Sequence, residues 1–190
     1  MNRENITIVS GLPRSGTSMM MKMLEAGGVQ ALTDNIRTAD EDNPKGYYEF
    51  EKVKQIEHDQ SWLPDARGKA VKMISALLKH LPPNYTYKVI FIRRKMEEIL
   101  ASQNQMLVRR KEAADAVSDA KMAELFRMHL QQVTTWIAKQ PNFDVIYVSY
   151  NEILASPVEQ ASKINQFLDH ALDTESMVGV IDQALYRQRQ

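Results

Sequence analysis

The sequence predicts an α/β domain of three layers, with helices on both sides of a mostly parallel central sheet. Three observations predict it. Four short apolar or β-branched runs alternate with helical segments along the chain; one of them, Val89-Ile90-Phe91-Ile92, is unbroken, as in a strand buried on both faces; and the first runs through a glycine-bearing turn directly into a helix.

Taken in order, Ile6-Thr7-Ile8-Val9 is the opening strand and Met19 to Ala26 the first helix, stopped by Gly27-Gly28. Residues 34–46 are polar and turn-rich, and a helix is expected from Glu49 to His58. Ala70 to Ile74 forms the second strand, Ser75 to Leu81 a short helical or turn segment closed by Pro82-Pro83, and Tyr87 to Arg93 the third strand. Helices follow at Glu97 to Met106 and Ala120 to Lys139, the latter with Leu125, Met128, Val133, Trp136 and Ile137 on one stripe. Val145 to Val148 is the last strand and Val158 to Leu168 the last long helix. With neither repeats nor a dividing linker, the 190 residues read as one domain, with loop or lid segments at about 34–69 and 105–120.

Composition narrows the function. Apolar residues make up 44% and charged residues 25%, which suits a globule with a real core. Lys plus Arg and Asp plus Glu both total 24, so the broad basic surface of a nucleic-acid binder is not expected. No apolar run approaches the ~20 residues of a membrane span. Cysteine is absent, which excludes disulfides, thiolate metal sites and a thiol nucleophile; with a polar amino terminus, this makes the cytoplasm the expected compartment.

The chemistry starts at Gly11-Leu12-Pro13-Arg14-Ser15-Gly16-Thr17-Ser18. Glycines five apart, after a strand and before a helix, have the spacing of a phosphate-binding P-loop. Loop N–H groups and the positive end of the helix make an anion cradle, to which Ser15, Thr17 and Ser18 add hydroxyls. The expected fold is therefore P-loop-type. Yet Thr17 stands where a nucleotide hydrolase has lysine, the loop's cation is Arg14, and no strand ends in an apolar run followed by Asp to hold magnesium.

Leu12 to Ser18 resembles the 5′-phosphosulfate loop of the sulfotransferase family, which shares the P-loop fold and uses 3′-phosphoadenosine-5′-phosphosulfate (PAPS). Arg94 and Ser102, eight residues apart after the third strand, resemble the family's Arg and Ser for the 3′-phosphate, with Glu98 where an Asp is common. Ser149-Tyr150-Asn151-Glu152 through Ser156-Pro157 is similar to the turn before the family's last core helix. Asn43-Pro44-Lys45-Gly46-Tyr47-Tyr48-Glu49 is similar to a stretch of bacterial members. The matches follow family order from position 8 to about 168. Two departures stand out: Arg14 replaces the lysine of many cytosolic members, and no residue matches their catalytic histidine.

The resemblance implies sulfuryl transfer from PAPS to a hydroxyl or amine acceptor, a small molecule or glycan-like, with no metal required. Pro13, Arg14, Ser15, Gly16, Thr17, Ser18, Arg94 and Ser102 are the expected cofactor contacts. Arg14 would stabilise charge, since its pKa forbids acid catalysis. Glu49 is the candidate base, placed beside the sulfate end and partly buried by Tyr47 and Tyr48; equally, it caps the helix expected to begin near Phe50. Arg93 and Lys95 are rivals of Arg94. His58 and His80 read as surface residues, His129 and His170 carry no neighbouring signal, and the methionines after the loop and Trp62 read as core. Arg187 and Arg189 read as a frayed tail or as a further 3′-phosphate contact. Two alternatives remain open: a P-loop kinase or NTPase, and a non-catalytic nucleotide-binding module.

Overall fold

The computed structural model describes residues 4–34, 48–110, 117–169 and 171–181, with side chains of 109 and 110 left aside. Residues 35–47 of the expected first loop, the tip of the second, His170 and the Arg187/Arg189 tail lie outside them.

Four strands, β1 (Ile6–Gly11), β2 (Ala70–Ile74), β3 (Tyr87–Arg93) and β4 (Phe143–Ser149), form one sheet in the order β2-β1-β3-β4. Every pairing is parallel. All six residues of β1 are buried, as a central strand covered on both faces requires. β4 is an edge strand, and its Tyr147 is exposed.

Alternate residues of the strands feed two cores. On one face, Val9, Ala70, Ile90, Ile92 and Val148 meet α1 (Thr17–Ala26), α4 (Tyr150–Ala155), α5 (Pro157–Phe167) and α6 (Thr174–Gly179). Met20, Met21 and Met23 of α1 are fully buried there, so the methionines are core. On the other face, Ile6, Ile8, Val71, Met73, Val89 and Phe91 meet Trp62, Leu78 and Ile137, the last from α3 (Asp119–Ile137). Trp62 is 2% exposed, an anchor of this second core. α2 (Met96–Arg110) leaves the carboxyl end of β3.

The helices start where local chemistry lets them. Ser118, Ser149 and Asp173 accept from the backbone N–H of Lys121, Glu152 and Ser176 to cap α3, α4 and α6, and Pro157 opens α5. Two expectations change. The helix expected over Glu49 to His58 is only a 3-10 segment, Glu51–Gln55, which itself gives the second core just Val53, with Phe50 and Ile56 packing on either side of it. The last helical region begins earlier, with α4, and α6 is an addition.

The chain leaves β1 toward β2 on one side, and β3 toward β4 on the other. The crevice at the carboxyl ends of β1 and β3 is therefore a topological switch point, where open α/β sheets bind ligands.

Candidate functional site

The loop after β1 closes through a turn in which Ser15 N–H donates to the Leu12 carbonyl at 3.2 Å. Pro13 supplies the first central position, and Arg14 takes a left-handed φ of 67° at the second, where glycine is usual. That backbone costs Arg14 about 1 kcal/mol or more. Its side chain compensates through position: Arg14 Nε donates to Ser102 Oγ on α2 at 2.9 Å.

Two glycines fit the loop to its surroundings. A Cβ on Gly11 would lie 2.6 Å from both the Ile92 carbonyl oxygen and Ser15 Oγ. A Cβ on Gly16 would lie 2.4 Å from the ring of Tyr150. Gly16 also precedes α1 with no side-chain cap, so the first N–H groups of that helix have no intrahelical acceptor. Ser15 is fully buried at the base of the loop, and its Oγ has no hydrogen-bond partner among the described residues.

Arg94 ends the other wall of the crevice. Its Nη1 donates to the Arg14 carbonyl at 3.1 Å and its Nε to Glu98 Oε2 at 2.8 Å. The guanidinium carbon sits 4.3 Å from the Tyr150 ring centroid. Asn151 Nδ2 donates to the other Glu98 oxygen at 2.8 Å. The Arg94 and Glu98 side chains are only 8% and 3% exposed, so this is a buried pair whose geometry depends on both partners. Arg93, in contrast, is exposed, with its guanidinium carbon 4.0 Å from the Tyr147 centroid. The structure thus brings Arg14, Arg94 and Ser102 into one linked group at the switch point.

A second cluster lies beside the amino end of α1. Lys72 Nζ, from the middle of β2, donates to Ser18 Oγ at 3.0 Å and lies 3.8 Å from Glu49 Oε1. Glu49 is fixed through its main chain: Thr33 Oγ1 donates to its carbonyl at 2.9 Å, and the following Glu51 N–H donates to Asp34 Oδ2 at 2.6 Å. The segment beginning at Glu51 has no side-chain cap, so Glu49 is not a helix cap. Tyr48 turns its hydroxyl to Glu25 Oε2, and Tyr47 lies outside the described residues. Burial, then Glu25, push the Tyr48 phenol well above its ordinary range. Lys72 was not singled out from the sequence; the available signal was a lysine within the five-residue apolar strand AVKMI.

Of the histidines, His58 is exposed and His80 lies 3.9 Å from Glu57 Oε2. His129 is different: its Nε2 lies 2.8 Å from Oγ of the buried Ser75. Among the described residues no group of three His, Cys, Asp or Glu could hold a metal ion, and no helix is long and apolar enough to cross a membrane.

A family model described as a sulfotransferase domain matches residues 4–189 of the chain. The chain belongs to the sulfotransferase domain family. Solved structures of sulfotransferases share its fold. Sulfotransferase STF1 from Mycobacterium tuberculosis H37Rv superposes with a TM-score of 0.58 at 17% identity, covering 98% of this chain and 74% of that one. Retinol dehydratase, solved with androsterone and the inactive cofactor PAP, gives 0.53 at 16% identity, covering 95% of this chain. Mouse sulfotransferase SULT7A1, complexed with PAP, gives 0.51 at 16%, also covering 95% of this chain. This sulfotransferase domain spans only 64% of the retinol dehydratase chain and 63% of the mouse one. No curated protein sequence matches it.

Proposed function

We propose that this sulfotransferase domain moves a sulfuryl group from PAPS to a hydroxyl or amine acceptor by in-line displacement. The observation that carries the reading is the linked group of Arg14, Arg94 and Ser102 at the β1/β3 switch point. Two fold neighbours hold PAP, the desulfated form of that donor, which favours it over ATP.

The residues present fit such a ligand. The uncapped start of α1 and the N–H groups of the loop suit a 5′-phosphate, Gly11 and Gly16 let the loop close against Ile92 and Tyr150, and the orphaned hydroxyl of Ser15 would gain its first acceptor. When bound, the donor supplies an activated sulfuryl group on a phosphosulfate anhydride. Pro13 shapes the loop, Gly16, Thr17 and Ser18 hold the 5′-phosphate, and Arg94 and Ser102 take the 3′-phosphate side.

Arg14, already oriented by Ser102, offsets charge on the leaving side, and Lys72 adds a second cation beside Ser18. Glu49 accepts the acceptor's proton, and Lys72, 3.8 Å away, keeps its carboxylate in place until then. The test is PAP formation from PAPS across phenol, alkyl alcohol, amine and amino-sugar acceptors. Turnover with at least one class is expected. PAP binding without turnover on any of them would leave a nucleotide-binding module instead.

A further inference from the structure

The two edges of the sheet are finished differently. At β2 the chain covers its own edge: Ala70 N–H donates to the Gln30 carbonyl at 2.9 Å, and Leu32 N–H donates to the Ala70 carbonyl at 2.8 Å. At β4 the phase of the ladder decides which groups are left over. Tyr87 N–H donates to the Asn142 carbonyl at 2.9 Å, so the even-numbered residues of β4 bond β3, while Val145 and Tyr147 turn both N–H and C=O to the outer side. Among the described residues nothing bonds these outward groups.

This edge also lacks the usual guards. The strand FDVIYVS contains no Lys, Arg, Pro or Gly, and its register with β3 runs from Phe143 to Ser149 without a bulge. Its one charge, Asp144, lies 3.7 Å from Lys88 near the amino end. α3 runs from Trp136, beside Phe143, toward Ser75 at the end of β2, and so leaves Tyr147 40% exposed. A β-branched and aromatic edge with free main-chain groups is a template for another strand.

We propose that β4 pairs antiparallel with β4 of a second copy of this chain, about a two-fold axis at Ile146, joining the two sheets into one. In this register Val145 lies opposite Tyr147 of the second copy, and each donates its N–H to the carbonyl of the other; the dyad repeats the exchange. An aromatic ring thus meets a β-branched side chain on both sides of the axis. Charge selects the register. With the axis at Ile146, the two Asp144 residues stand about 14 Å apart along the strand; an axis at Val145 would bring them to about 7 Å. An axis at Tyr147 would bring together the two Arg93 guanidinium groups, each 4.0 Å from its own Tyr147 ring centroid. The outer edge of β4 faces away from the crevice between β1 and β3, so the proposal is independent of the PAPS reading.

Cysteine is absent from the chain, so a single introduced cysteine reports the register. Ile146→Cys faces its own counterpart in a non-hydrogen-bonded pair, with Cα atoms about 4.5 Å apart, inside the range of a disulfide. Mild oxidation of the full chain should link Ile146→Cys into a covalent dimer on a non-reducing gel and leave Asp144→Cys as single chains. Sedimentation equilibrium of the wild type should show a monomer and dimer in exchange. Val145→Pro removes an outward N–H without touching the bonds to β3, and Tyr147→Lys places a charge on the edge; each should weaken the dimer about tenfold or more. If Val145→Pro fails to fold, Tyr147→Lys carries the test alone. A wild type that stays a single chain at every concentration, a dimer that survives Tyr147→Lys unchanged, or cross-linking of Asp144→Cys as readily as Ile146→Cys would overturn the proposal.

Discussion

Arg14 Nε donates to Ser102 Oγ at 2.9 Å, joining the phosphate loop to α2 across 88 positions of sequence. The loop's cation is held in place by a residue that belongs to the other wall of the crevice. Ser102 accepts that bond and keeps its own proton to donate. Ser102→Ala should therefore weaken PAP about tenfold, and adenosine 5′-phosphate less, because the serine serves both loop and 3′-phosphate. Calorimetric titration of the two nucleotides checks this; equal losses for both would remove Ser102 from the 3′-phosphate side.

Glu98 is predicted to act through Arg94. Replacing it with Ala leaves a buried guanidinium without its carboxylate, and should destabilise the fold by about 3 kcal/mol in urea unfolding. Arg93→Ala, at the exposed neighbour, should leave stability and PAP affinity near wild type, whereas Arg94→Lys should lose PAP affinity because lysine cannot hold Glu98 and the Arg14 carbonyl together. If Arg93→Ala is the variant that loses PAP, the 3′-phosphate contact has been given to the wrong arginine.

Gly16 tests the seat of the loop. A methyl group there meets the Tyr150 ring at 2.4 Å and a backbone φ of 106°. Gly16→Ala should destabilise by about 2–4 kcal/mol and abolish anion binding, through overpacking and backbone strain together. Thermal unfolding with and without PAP reads both effects.

Glu49→Gln removes the proposed proton acceptor without changing shape. Turnover should fall about 100-fold or more, with PAP affinity unchanged. Lys72→Met should lower turnover as well, and in addition weaken PAP, because it removes a cation next to Ser18. Full activity of Glu49→Gln would assign the proton to another group.

His129 gives a pH signature of stability. Its folded pKa is depressed by burial from the ordinary 6.5, so the unfolded chain takes up this proton first as pH falls. The penalty is absent above pH 6.5 and grows as pH drops through the folded value. The melting temperature of wild type should thus fall relative to His129→Gln between pH 7 and pH 5, read by scanning calorimetry. Parallel curves would mean that His129 titrates normally.

The strand, loop and helix at residues 6–26 were legible because glycine spacing and apolar runs are local signals, and the structure brings together Arg14, Arg94 and Ser102, the residues that the family resemblance had singled out. What was not legible depends on register. Lys72 gains its place only because β2 lies beside β1 and aims it at Ser18. The Ser75 and His129 contact needs α3 to fold back over the sheet. Over residues 49–58 the apolar positions suited a helix, but bonds from the Thr33 and Asp34 side chains to the main chain of Glu49 and Glu51 tie down the start of that stretch. Asp173 and Ser176 carried a cap signal for α6 that was there to be read.

The central claim is that the crevice takes a 3′-phosphorylated adenosine nucleotide. Thermal unfolding with adenosine 3′,5′-bisphosphate, set beside ATP with magnesium, tests it most directly. At 100 times its dissociation constant the bisphosphate should add about 2.7 kcal/mol of stability, while ATP with magnesium adds far less. Stabilisation by ATP with magnesium and none by the bisphosphate would contradict the account.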